Sequence, residues 1–217
     1  MKKILLSLLF STIFIAAANA HVIQYELDKM DSSTVFTKYI AIGFQHIIPT
    51  GLDHILFIIC VFFLNKNLKQ VVLQASMFTL AHSITLALAM YNIIQPVAAI
   101  IEPLIAFSIV LLAVENIFTD KIKPWRIIMV FLFGLIHGLG FAGSLSGLGL
   151  PSYAFANALI SFNIGVELGQ LAIILGMYVF VFKLFSKKLW YKQRIVIPSS
   201  ILIALIASFW TIERLFF

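Results

Sequence analysis

From residue 52 onward the chain reads as long apolar runs broken by short polar segments. The runs cover roughly 52–64, 70–90, 97–118, 125–143, 153–182 and 195–213. A helix rises 1.5 Å per residue, so crossing a bilayer takes about 20 apolar residues. Five of the runs are near that length. The first is short and is expected to borrow from the segment before the break at Pro49-Thr50-Gly51, where 35–46 reads as a short amphipathic helix at the interface. The pattern predicts an all-α polytopic bundle of about six transmembrane helices.

The first 20 residues have a different pattern. Met1-Lys2-Lys3 is basic, Ile4 to Ala17 is apolar, and Ala18-Asn19-Ala20 has the small-x-small form of a signal-peptidase site. A cleaved signal peptide over 1–20 is expected, with an uncleaved first span as the other reading. Residues 21–34 form a short polar segment outside the bilayer, and 35–217 form the transmembrane domain. A mature His21 terminus could chelate copper through its amine and imidazole, although a His in that place is also unremarkable.

Composition then excludes whole classes. Apolar residues make up 62% of the 217 residues and charged ones 11%, and the mean hydropathy is +1.06. A soluble domain is about half apolar and about a quarter charged, so this chain is solvated largely by lipid. That rules out a cytosolic enzyme or a nucleic-acid binder. No Walker or dinucleotide glycine motif occurs. A single cysteine, Cys60, allows no internal disulfide and reads as a buried, inert thiol.

The net charge of +6 follows from topology. Lys66 and Lys69, then Lys121, Lys123 and Arg126, then Lys183, Lys187, Lys188, Lys192 and Arg194 fill alternate loops. Loops 91–96 and 144–152 carry no Lys or Arg. The positive-inside rule therefore places 65–69, 119–126 and 183–194 in the cytoplasm and the mature N-terminus outside the inner membrane. Trp125, Trp190, Tyr191, Tyr91 and Tyr153 fall at span ends, where aromatic belts form.

Ionisable residues inside the spans carry the chemistry. Four of nine acids (Asp53, Glu102, Glu115, Glu167) and four of five His (His46, His54, His82, His137) lie in or beside apolar runs. A charge at mid-bilayer costs about 2.5–3.5 kcal/mol, so four unpaired acids would cost on the order of 10 kcal/mol. Except for Glu115, at the inner end of its span, the set converges on the outer half of the bundle. Imidazoles and carboxylates at one depth suit zinc, nickel, copper or iron. Pro49 and Gly51 free backbone beside Asp53 and His54, which non-helical structure at membrane depth tolerates only where it lines a cavity. Thr79, His82 and Ser83 share a helical face, and Asn163, Glu167 and Gln170 form another polar stripe.

Bland readings stand beside these. A lone intramembrane His often just bonds a neighbouring helix. The Gly134-xxx-Gly138 and Gly165-xxx-Gly169 pairs read first as helix-packing motifs. Glu115-Asn116 reads equally as a pair snorkelling to the inner interface. Ser83 and His82 point about 100° apart and form no catalytic pair.

His46-x6-Asp53-His54, Ala81-His82-Ser83, Glu102, Glu115-Asn116, His137-Gly138 and Phe162-Asn163-x3-Glu167 together resemble the HupE/UreJ family of hydrogenase and urease accessory membrane proteins. In hydrogenase-type members a proline directly follows the first His; here it stands at Pro49. The resemblance implies nickel, or another divalent metal, entering the cell for hydrogenase or urease maturation, with metalloenzyme maturation proteins as partners.

Two functions remain open. In a metal permease, His46, Asp53, His54, His82 and His137 are ligands and Glu102 and Glu167 complete the shell or relay protons. Asn163 and Gln170 then orient ligands, and Glu115 is an inner stepping point. In an intramembrane zinc hydrolase with a periplasm-facing site, three ligands hold zinc and Glu102 or Glu167 is the base. A purely structural protein accounts poorly for so many costly polar residues.

Overall fold

The structure is a computed structural model and describes residues 31–64, 67–119, 122–148 and 152–217. The expected signal peptide, His21 and most of the expected polar N-terminal segment lie outside the described residues.

Helices α1 (Ser32–Ile47) and α2 (Leu52–Phe63) are followed by α3 (Leu68–Met90), α4 (Ala98–Phe118) and α5 (Arg126–Leu148). Then come α6 (Phe155–Met177), the short α7 (Lys183–Phe185) and α8 (Ile197–Phe216). A π-helical turn, Tyr178–Phe182, joins α6 to α7, and another, Lys192–Val196, leads into α8. No strand occurs among the described residues.

Five helical segments are long and apolar enough to cross a membrane, and the pair α1–α2, bent by 70°, makes up to six. The short run at 52–64 is long and apolar enough only together with the segment before it. That segment differs from the expected interfacial helix: Val35, Tyr39, Gly43 and Ile47 form a buried stripe packed along α6. Asp31 caps α1, accepting from the Ser33 main-chain N–H at 3.2 Å and from the Thr34 hydroxyl at 2.5 Å. The Ser33 hydroxyl donates to the same carboxylate, and it and the Thr34 hydroxyl hold the exposed Asp31 carboxyl down at about 2.

The helices associate as three pairs, α1 with α6, α3 with α5 and α4 with α8. In lipid, helix association relies on close van der Waals packing at small residues. A Cβ on Gly43 would stand 2.0 Å from the Phe162 carbonyl oxygen, and one on Gly165 would stand 2.1 Å from that of Ile40. In the second pair, Gly134 meets the Phe78 carbonyl and Gly138 that of His82. These glycines set backbone contact distances, as the packing-motif reading supposed.

The short α2 packs against helices of all three pairs. From Ile55 onward it is apolar all round, which suits a helix enclosed by others, and His54, Phe57, Ile58 and Cys60 to Phe63 are buried. Outward-facing Leu73, Leu132, Leu175, Leu205 and Phe209 are roughly half exposed or more, as lipid contact allows.

Two apolar clusters fill the interior. One gathers Phe57, Phe78, Phe133 and their neighbours, and the other Leu86, Ala142, Phe162 and theirs. His54, His82 and His137 lie along the chain where the first cluster gives way to the second.

Candidate metal centre

The α1–α2 break builds the first part of the site. Pro49 supplies no N–H, and Thr50 bonds back to the Gln45 carbonyl through its hydroxyl at 2.6 Å. A Cβ on Gly51 would come within 2.2 Å of the His46 carbonyl oxygen and 3.3 Å of His54 Nδ1. Glycine lets the chain fold back tightly here, so that the His46 and His54 rings lie 4.7 Å apart between centroids.

His82 from α3 and His137 from α5 complete the group. Their rings lie 6.1 and 5.2 Å from that of His54. One ligand atom each of His46, His54 and His82 fits within a mutual 4.8 Å. Two nitrogens on a tetrahedral ion stand about 3.3 Å apart when each bond is about 2.0–2.1 Å. Modest side-chain rotation would therefore close the three around one ion, with His137 beside them.

Hydrogen bonds select the nitrogens that remain free. Asp53 Oδ1 lies 2.9 Å from His54 Nδ1 and also accepts the His54 main-chain N–H. His137 Nδ1 lies 2.8 Å from the Phe133 carbonyl oxygen, which can only accept. His137 therefore carries its proton on Nδ1, and an ionised Asp53 holds His54 in the same tautomer. The Nε2 atoms of His46, His54 and His137 are buried without hydrogen-bond partners, and His82 has only the Asn163 side chain as a polar partner nearby. Unpaired buried nitrogens are costly, and their lone pairs are the donors a borderline metal uses.

Aromatic rings jacket the group. Phe141 lies 3.8 Å from His46, Phe78 lies 4.9 Å from His137, and Phe162 lies 5.6 Å from His46. Phe162 belongs to a motif already noted in the sequence, whereas Phe141 and Phe78 are not singled out there. Phe141 follows His137 by four positions and Phe78 precedes His82 by four, so shared helical faces could have flagged both.

The predicted residues divide into three places. A cavity of about 290 Å³ is lined by His46, Asp53, His54, Glu102 and His137, together with Phe141 and Arg214. His82 lies deeper and is fully buried. Glu167, Asn163 and Ser83 instead line a groove between α3 and α6 with Ser76 and Thr79. There Glu167 accepts from the Ser76 hydroxyl at 2.6 Å, while Gln170 accepts from Thr79 at 3.1 Å. Asn163 nevertheless remains a polar neighbour of His82.

Glu115 is in a third place, ion-paired to Arg126. Read in the sequence as a loop charge, Arg126 instead opens α5 and is fully buried. It also donates to the Cys60 carbonyl at 3.0 Å and to Asn116 Oδ1 at 3.3 Å. Asn116 donates to the same carbonyl at 3.0 Å. Burial of one charge required the other, so the Glu115 carboxylate serves a structural pair at the far end of α2 from His54.

The model of the family described as HupE / UreJ protein matches residues 21–214. That is nearly the whole chain, and the protein belongs to this family. No curated protein and no solved structure matches.

Proposed function

We propose, from the premise that this multi-pass membrane protein is a HupE / UreJ protein, that it binds a divalent transition metal and conducts it inward. Nickel is the favoured ion and zinc the second. The ion would be cargo destined for hydrogenase- or urease-type metalloenzymes, with maturation proteins receiving it. His46, His54 and His82 are the primary ligands, His137 is adjacent, and Asp53 orients His54 as carboxylates orient metal-bound imidazoles. Glu102 stands at the cavity wall as a further oxygen donor.

The single observation carrying this reading is the convergence of unpartnered imidazole nitrogens from four helices, α1, α2, α3 and α5. The loop charges favour an inner-membrane orientation with the N-terminus outside.

A second reading draws support from Arg126. Its guanidinium is buried beside α2's inner end and pairs with Glu115, the acid expected as an inner step, so that carboxylate is not free to receive a metal ion. An intramembrane zinc hydrolase open only outward needs no inner path. Glu102 would be its base, because Glu167 lines the other groove.

Uptake of radioactive nickel into vesicles containing only this protein separates the two. Uptake under an ion gradient, lost in His54→Ala, is expected. Nickel or zinc bound at the site, with no uptake under any gradient, would favour the hydrolase.

A further inference from the structure

Arg214 has no part in the reading above, yet it lines the same cavity as His46, Asp53, His54 and His137. It comes from the last turn of α8, far along the chain from every ligand. By the loop-charge topology this is the outer end of the bundle, where a basic residue is not needed as a cytoplasmic anchor. Its Nη1 donates to the Glu102 main-chain oxygen at 3.2 Å, and its guanidinium lies 5.7 Å from the Trp210 ring. No ion pair to Arg214 occurs among the described residues. Stacking on Trp210 and the α8 dipole explain a cation near this position. Among the described residues the guanidinium donates one hydrogen bond, from Nη1.

A fixed positive charge at the wall of a cation pocket works against a bare ion. Asp53 is committed to His54, which leaves the Glu102 carboxylate as the other negative group in the wall to offset it. The cavity is also too large for an ion alone. At about 30 Å³ per water, 290 Å³ corresponds to about ten waters, room for a small organic ligand. A guanidinium matches a carboxylate through two parallel N–H bonds.

We infer that the cavity takes its divalent metal together with a small carboxylate ligand, the imidazoles holding the ion and Arg214 holding the carboxylate. This rests on the metal reading above and names its substrate class. The bound anion lowers the positive charge of the pair and satisfies Arg214, so the site selects chelated over bare metal.

Equilibrium dialysis of the purified full chain tests this with three probes: nickel chloride, nickel with radioactive citrate, and radioactive citrate alone. Wild type is expected to retain citrate only when nickel is present. Arg214→Gln is expected to lose that co-binding by about tenfold or more, the scale of one charged hydrogen bond, while still binding nickel from the chloride. Arg214→Lys, which keeps the charge without the fork, should recover part of it and covers the case in which the Gln variant fails to fold. Nickel binding with citrate excluded, or citrate held equally by wild type and Arg214→Gln, overturns the chelate inference alone. Citrate retained without nickel also overturns it. No nickel bound in either form overturns the metal reading itself.

Discussion

Asp53 Oδ1 lies 2.9 Å from His54 Nδ1, and the two residues are sequence neighbours at the start of α2. The carboxylate orients the ring and leaves Nε2 free among the other imidazoles. Removing its charge while keeping its shape should therefore weaken metal binding without unfolding the helix. Loss of such an outer partner typically costs about 10–100-fold in affinity. Isothermal titration of Asp53→Asn with nickel and zinc should show that loss. An unchanged affinity would mean that His54 needs no orienting group.

The glycine contacts predict a graded stability series. Gly165→Ala brings a methyl within 2.1 Å of the Ile40 carbonyl oxygen, so α1 must move. Overpacking of this kind costs about 1–3 kcal/mol. Gly143→Ala meets nothing within 4 Å and should be neutral, or stabilising by up to about 1 kcal/mol through helix propensity. Thermal unfolding in detergent compares the two, and equal effects would remove backbone packing as the reason for glycine at 165.

Glu115→Gln should destabilise rather than selectively block transport. It leaves Arg126 buried without its charge partner, which costs about 3–5 kcal/mol in comparable pairs. Glu115→Met combined with Arg126→Met should recover much of that loss. Unfolding midpoints and yields of folded protein check both. A normally stable Glu115→Gln variant with reduced uptake would restore Glu115 as a step on the ion's path.

The Asp31 cap supplies a pH dependence outside the bilayer. Its carboxyl is held near 2 by bonds to Ser33 and Thr34, against an ordinary value of 3.8. A depressed carboxylate stabilises its helix fully above the ordinary value and loses that contribution as pH falls through the folded one. Hydrogen exchange at the first turn of α1 should thus show extra opening, beyond the intrinsic pH effect, between about pH 4 and pH 2. Asp31→Ala should show that opening already at neutral pH and no further change.

The basic loops predict sidedness. Single cysteines placed in 183–194 in a Cys60→Ala background should react only with reagents that reach the cytoplasm, and one in 91–96 only with external ones. External labelling in 183–194 would invert the bundle and every depth assigned to its residues.

The chain's own pattern determines the lipid solvation, the position of each long helix and the four histidines that matter. Hydrophobic length and the absence of charge are local properties, read residue by residue. The break at Pro49 and Gly51 is equally legible, because a missing N–H and a missing Cβ act where they stand. Which polar groups meet is different. Glu102, Asn163 and Glu167 look alike as polar residues in apolar runs, yet Glu102 lines the histidine cavity while Asn163 and Glu167 line a separate groove. Arg126 reads as a loop charge until its burial against Glu115 and the Cys60 carbonyl is seen. Arg214 carries no signal in the sequence, and only the packing of α8 on α4 brings it to the cavity wall. Helix rotation and pairing decided these outcomes. In two of the three pairs they depend on close backbone contacts at Gly43 and Gly165 and at Gly134 and Gly138, between segments remote in sequence, and no periodicity within a single helix contains that information.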